Sequence, residues 1–504
     1  MPKKRRIPVI MATQHPDNAR NPFWQSTGFV SAAEELEEAV VCFRDLSAEE
    51  VMWDFEGKYA DEAVVDKLFS KHYAYFRKHL LGKEKFLTFR LPNVWKEKGY
   101  SLIRTLMVIL TSEDIAHDLK FKARPLFEVI LPMTERPEQL MYIQKSFQKL
   151  AHFKSKIFTH RSDSNTDHVE IIPLIEGVED QLQIATLLTR YVALHKRFFH
   201  RNPTSLRPFL GLSDPALLNG LIPRVLACKV ALSEIHRFGK TYKLSMYPIV
   251  GGGALVFRGG LSPTRARKFV SEYRGARTVT VQSAFRYDYP MPQVKKAILY
   301  LRGAVPKSRV QQVSKKDLRS LHAIIDLFSR VYRATVIGLL EEMRPLFAAV
   351  PKRRERREQA GRFAYHRYMG KHPLPRAIDF SAAWYSIGIP PEFIGLGRSL
   401  EALKESEMQI LKKYYIHFEK DLTEAGRYLN RSNVEQLAKS NPFWRLILKD
   451  VELAEKILGV HFGPKTKTEL LHSRLTSRLL RHRNNTKEAQ RLIEETGKLR
   501  RSLG

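Results

Sequence analysis

The chain has 504 residues, with 85 Lys and Arg against 53 Asp and Glu, a formal net charge of +32 and a hydrophobic content of 43%. That balance excludes a disordered chain, and at about 150 residues per domain the length allows roughly three domains or one large barrel with additions. Two cysteines, Cys42 and Cys228, exclude a disulfide framework, and the absence of any Cys/His cluster argues against zinc, so a reducing, cytosolic setting is expected.

No apolar run approaches the ~18 residues of a membrane span, and the stretch Ile7 to Ala12 behind the basic Lys3, Lys4, Arg5 and Arg6 is too short for a secretory core. The positive charge suits either nucleic acid or anionic small substrates. The run from Lys352 to Arg357 and the tail after Gly463 are basic without interleaved aromatics, which reads as solvated helix face rather than a nucleic-acid site.

Short apolar runs recur along the chain at Val51 to Phe55, Phe86 to Phe89, Pro125 to Leu131, Val169 to Ile175, Pro208 to Leu212, Lys243 to Ile249 and Thr278 to Val281. Each has the length of a buried strand, and the gaps of roughly 35 to 45 residues leave room for a crossover helix. The helical spacing of Gln181 to Leu188 fills one such gap. These runs carry or end in a polar or glycine-rich element: Glu56, Arg90, Glu128, Glu176, Ser213 and Asp214, Gly251 to Gly253, then Gln282 and Ser283. Alternating β/α units with function at the carboxyl ends of strands predict an α/β fold, a (β/α)8 TIM-type barrel; an open doubly wound sheet ranks second because no GxGxxG follows a first strand. The eighth strand is not evident, and Arg376 to Phe380 is one candidate.

From about residue 315 onward the pattern is helical, over Leu321 to Met343, Glu401 to Tyr415, Val434 to Ser440 and Phe443 to Ile457, with a break at Asn441 and Pro442. The expected organisation is a barrel catalytic domain over 1–400 and a helical C-terminal extension over 401–504 that packs on it, its basic tail fraying.

Several residues invite a chemical reading. His15 precedes Pro16 in a polar segment, Arg90 ends a strand, and Glu128 interrupts an apolar run, where an acid is costly unless paired or bound to metal. Asp214 lies at a strand-to-helix turn, as a helix cap or a metal ligand. The stretch from Val250 to Gly260 places Arg258 among glycines, either an ordinary turn or an anion cradle, and Arg286 follows the next strand. Pooled, one histidine, acids and arginines suit a phosphorylated carboxylate with a divalent metal.

The segments Thr13 to Asn18, Phe127 to Met133, Gly211 to Ala216, Phe257 to Gly260, Gln282 to Asp288 and Tyr385 to Glu392 together resemble archaeal-type phosphoenolpyruvate carboxylase, in the same order and over residues 7 to about 400. The resemblance implies a Mg²⁺- or Mn²⁺-dependent carboxy-lyase that turns phosphoenolpyruvate and bicarbonate into oxaloacetate and phosphate. It also implies a cytoplasmic protein, commonly a homotetramer, without membrane or nucleic-acid partners. By motif, His15, Arg258 and Arg90 resemble catalytic residues and Glu128 and Asp214 resemble metal ligands. Arg90, Arg258, Arg286, Gly259, Gly260 and Gln282 are the expected substrate contacts. The longer enzymes of that activity carry an arginine where this chain has Gly252 and a lysine where it has Leu217. A water-excluding lid is expected, with the Gly251 to Gly260 loop as the candidate. Two other readings stand beside this one: a different phosphoenolpyruvate or 2-oxo-acid lyase on the same barrel, and a basic nucleic-acid-binding protein on an inactive one.

Overall fold

The computed structural model describes residues 5–25, 29–56, 60–96, 100–157, 167–352, 355–356 and 367–504. Residues 353, 354 and 357 of the basic run, and Lys3 and Lys4, lie outside this set. Eight parallel strands close into a barrel: β1 (Ile10–Ala12), β2 (Glu50–Asp54), β3 (Phe86–Arg90), β4 (Glu128–Leu131), β5 (Glu170–Ile175), β6 (Phe209–Gly211), β7 (Ile249–Gly251) and β8 (Thr278–Val281). Strand β1 closes the ring by pairing Ile10 with Val279 on one side and Met11 with Glu50 on the other. The missing strand is therefore the short apolar stretch near the amino end. Arg376 to Phe380 instead runs into a helix, Ala377–Ser386. The run from Lys243 to Ile249 is split: Ser245 and Met246 pair with Ser205 and Leu206 outside the barrel, and β7 begins at Ile249.

Strand side chains alternate between the two faces of the wall. Val51 and Trp53 face the surrounding helices, while Met11, Met52, Ile130, Ile172, Leu174, Phe209 and Ile249 fill the interior. A Cβ at Gly251 would sit 2.4 Å from the Phe209 ring, so that glycine makes room for the interior plug. Below the apolar layer lies a charged floor. Arg207 pairs with Glu50 at 2.7 Å and Glu128 at 2.6 Å, and Arg5 pairs with both Glu128 and Glu170.

A second apolar core joins the barrel helices Ser213–Asn219 and Leu221–Tyr242 to the long helix Lys315–Ala348 and the helices beyond it. Asn441 caps the helix Pro442–Leu458 by accepting from the Phe443 amide at 2.9 Å, with the proline in the first turn where its missing N–H is harmless. The tail does not fray. Helix Lys467–Arg481 starts in a Thr466/Glu469 capping box, and Leu479, Ala489, Leu492 and Ile493 are buried while the tail's basic residues are mostly exposed. Among the described residues no helix is long and apolar enough to cross a membrane.

Candidate active site

Above the apolar layer, at the carboxyl ends of the strands, lies a cavity of about 370 Å³ whose walls include Gln14, His15, Asp54, Glu56, Arg90, Glu176, Asp214, Arg258, Gln282, Arg367, Arg376 and Asp379. Five of the expected residues, His15, Arg90, Asp214, Arg258 and Gln282, meet there.

The loop after β1 is fastened to the loop after β8. Ser283 Oγ donates to the His15 carbonyl and, at 2.9 Å, to Asp17 Oδ1, which also accepts from the Ala284 amide at 2.7 Å. Asp288 accepts from the Ala19 and Arg20 amides at 2.7 and 2.8 Å. Two of the motifs noted in the sequence are thus the two halves of one clamp, and it sets His15 at the cavity wall. The imidazole Nδ1 lies 2.9 Å from Thr13 Oγ1. Burial, and then the charge of Arg90, lower its pKa to about 3, so the ring is neutral at neutral pH.

Arg90 is locked by two acids, its Nε donating to Asp54 at 2.9 Å and its Nη1 pairing with Glu56 at 2.7 Å. Arg258 is buried. Its Nη2 donates to Gln282 Oε1 at 2.8 Å and its Nη1 to the Gly504 carbonyl at 2.6 Å, with Asp17 at 3.4 Å. Leu503 donates from its amide to the Asp17 carbonyl at 2.7 Å, which brings the tail helices' last residues to the site.

Asp214 has a neighbour that the sequence analysis did not single out as a ligand. Glu176, at the tip of β5, hydrogen-bonds the Asp214 carboxyl and accepts from the Met133 amide at 2.8 Å. Arg367 bridges the two acids, donating from Nε to Asp214 at 2.6 Å and lying 3.4 Å from Glu176. Burial raises the Glu176 pKa to about 8. Burial also pushes Asp214 upward, but Arg367 and the bond from Glu176 outweigh it and hold Asp214 below the usual carboxylate range. The shifts run in opposite directions, so Asp214 is the more acidic carboxyl of the pair. The donors of the pair are all oxygen, the set a hard divalent cation takes when substrate and water fill its other positions.

Glu128 is not here. It starts β4 rather than ending it, so its side chain points into the floor, where it is 5% exposed between Arg207 and Arg5. It borders a separate cavity of about 460 Å³ at the amino end with Phe127, His168, His195 and Arg207. The signal that finds Glu176 instead is strand direction: it follows the apolar run of β5, on the end where a (β/α)8 barrel gathers its chemistry.

Arg286, Gly259 and Gly260 also lie off the cavity. Arg286 sits on the short helix Ser283–Tyr287 with its guanidinium behind β1, against Cys42 Sγ at 2.8 Å, Glu38 at 3.1 Å and the Thr13 carbonyl. The glycines serve backbone packing. Gly253 pairs with Gly259, a Cβ on Gly252 would lie 3.1 Å from the Gly259 Cα, and one on Gly253 would lie 2.9 Å from the Arg258 guanidinium carbon. This loop is buried almost throughout and cross-bonded, with the Gly253 amide donating to the Arg258 carbonyl at 2.8 Å, so it is wall and not lid. Arg367, Arg376 and Asp379 come from the segment after the barrel; Arg376 and Asp379 lie in the stretch expected as a strand, and none of the three carried a site motif.

The phosphoenolpyruvate carboxylase family model matches residues 7–504. This chain belongs to the phosphoenolpyruvate carboxylase family. It is 42% identical to the phosphoenolpyruvate carboxylase of Leuconostoc mesenteroides subsp. mesenteroides over 503 residues, covering 99% of both chains. It is 43% identical over 504 residues to that of Oenococcus oeni, again covering 99% of both. To that of Caldivirga maquilingensis it is 34% identical over 520 residues, covering 99% of this chain and 100% of the other. The resemblance to the archaeal-type form of the family is borne out by these matches. The carboxylase relatives span the helical extension as well as the barrel, consistent with the tail's contact with Arg258.

Proposed function

We propose that this protein carboxylates phosphoenolpyruvate with bicarbonate, giving oxaloacetate and phosphate. The observation that carries this reading is the convergence of His15, Arg90, Asp214 and Arg258 on one cavity at the carboxyl end of the barrel. Glu176 and Asp214 are the residues that would hold Mg²⁺ or Mn²⁺, whose charge would offset the phosphoryl and enol oxygens of the substrate. Arg258 and Arg376 line the wall on which an anionic substrate would rest, with Arg90 fixed by Asp54 and Glu56 as part of that wall.

Bicarbonate attacks phosphorus, the bond from phosphorus to the enol oxygen breaks, and carboxyphosphate and the pyruvate enolate result. The arginines offset the charge that spreads over the transferring group. His15 is neutral and, with Nδ1 directed at Thr13, presents Nε2 to the carboxyphosphate proton, its basicity restored when the substrate's negative charge offsets the burial and the Arg90 charge that lower it in the free site. Loss of that proton releases CO₂ beside the enolate, whose methylene carbon attacks it, while phosphate departs. The enolate must be kept from protonation to pyruvate, and the buried Arg258, Gln282 and Gln14 form the part of the wall that excludes water.

By the same family reading the protein works in the cytoplasm as a homotetramer. The deciding experiment is a coupled assay of oxaloacetate and phosphate on wild type and His15→Asn. Wild type forms oxaloacetate only with bicarbonate and a divalent metal. The variant keeps bicarbonate-dependent phosphate release and loses oxaloacetate by about a hundredfold or more. Phosphate release that ignores bicarbonate would instead identify another phosphoenolpyruvate lyase.

A further inference from the structure

Arg367 opens a two-stranded hairpin, β9 (Arg367–Met369) and β10 (His372–Leu374), that hangs over the tips of β5 and β6. Its Nε donates to Asp214 Oδ2 at 2.6 Å, its Nη2 pairs with the same oxygen, and Nη2 lies 3.4 Å from Glu176 Oε1. The side chains of Arg367, Glu176 and Asp214 are 13%, 13% and 15% exposed, so solvent screens the group little. The guanidinium takes Asp214 Oδ2 and lies beside Glu176 Oε1, while Glu176 Oε2 accepts from the Met133 amide, so a cation held by both acids competes with the guanidinium for these oxygens. The two positive charges cannot share them, because neither the distances nor the low local dielectric would tolerate a like-charge contact.

We infer that Arg367 is a resident counter-charge for the cation site, holding the carboxyls of Glu176 and Asp214 together until a divalent cation displaces it. The inference rests on the assignment of those two acids as the metal donors. A largely buried carboxylate charge needs a compensating partner. A guanidinium supplies that compensation from outside the barrel wall. Because it stands on a hairpin and not on a barrel strand, its long side chain can withdraw by rotamer changes while β5 and β6 keep their places. Cation binding is then an exchange of one cation for another, and the apparent affinity is weaker than the bare pair of acids would give.

The test is Mn²⁺ binding to the full-length enzyme stripped with chelator, followed by electron paramagnetic resonance of free Mn²⁺ without substrate. Arg367→Ala lowers the Mn²⁺ dissociation constant by about tenfold or more, as expected for removal of a competing buried charge pair. Arg367→Lys, which keeps a positive charge, stays nearer wild type. Thermal melting gives a second readout: Mn²⁺ raises the melting temperature of Arg367→Ala by more than it raises that of wild type. An unchanged or weakened affinity in Arg367→Ala, with no larger thermal response, overturns the inference. Asp214→Asn separates that failure from failure of the metal assignment. If it weakens Mn²⁺ binding, the donors stand whatever Arg367 does; if it binds as wild type does, the assignment itself falls and the inference with it.

Discussion

Glu128 and Arg207 form a 2.6 Å ion pair beneath the apolar layer of the barrel, on the end away from the cavity that holds His15. Both side chains are buried, 5% and 1% exposed, and Glu128 shares its charge with Arg5 as well. Loss of Glu128 removes its charged hydrogen bonds while Arg207 keeps Glu50 and Arg5 keeps Glu170, which costs about 1.5–3 kcal/mol. Glu128→Ala is therefore expected to lower the unfolding free energy by about that amount while the Mg²⁺ requirement of the folded enzyme stays as in wild type. Denaturant titration and a metal titration of the rate check the two halves. A steep rise in metal requirement would return Glu128 to the role its motif suggested.

The opposite result is expected at the other end of the barrel. Asp214→Asn and Glu176→Gln each remove one carboxylate from the pair that faces the cavity. The metal concentration for half-maximal rate should rise by about tenfold or more in each, since an amide oxygen lacks the charge with which a carboxylate holds a hard cation. Steady-state rates across a Mg²⁺ series measure this, and a wild-type curve for Asp214→Asn would leave that residue as a structural partner of Arg367.

His15 also predicts a dependence of stability on pH. Its imidazole is held at about 3 in the fold, against 6.5 for the free side chain. Between those values the unfolded chain binds a proton that the folded one refuses, so this group makes stability fall as pH falls below about 6.5, by about 1.4 kcal/mol per pH unit. His15→Asn removes that slope. Denaturant unfolding at several pH values between neutral and mildly acidic should show a shallower loss for the variant than for wild type.

Arg258 and Arg286 make a paired comparison. Both are 1% exposed, but only Arg258 lines the cavity. Arg258→Lys loses the fork that spans Gln282 and the Gly504 carbonyl, and kcat/KM for phosphoenolpyruvate should fall by about tenfold or more. Arg286→Met should instead cost stability, by about 1.5–3 kcal/mol from its lost charged hydrogen bonds, although Glu38 still accepts from the Tyr287 hydroxyl, with KM unchanged. Kinetics and thermal melts on the two variants distinguish the roles.

Strand rhythm was readable from the residues alone because parallel barrel strands are buried on both faces and stand out as short apolar runs. So were His15, Arg90, Asp214 and Arg258, each close to the end of such a run or inside an ordered motif. Position along a strand was harder. Glu128 and Glu176 both sit beside apolar runs, and only the direction of the strand and its exact start decide that one faces the floor and the other the cavity. Strand β1 escaped notice for a related reason: three residues, Ile10–Ala12, carry too little pattern until two neighbouring strands define their place.

What composition and local pattern determined, then, was a barrel and most of the groups at its mouth, since burial of apolar strands depends on nearby residues. What tertiary structure decided was which charges meet. Arg367 reaches Asp214 across 153 positions of sequence, and the Gly504 carbonyl reaches Arg258 across 246. Such contacts are fixed by how the helices after the barrel fold back over it, and a charged side chain bears no local mark of the partner that will neutralise it.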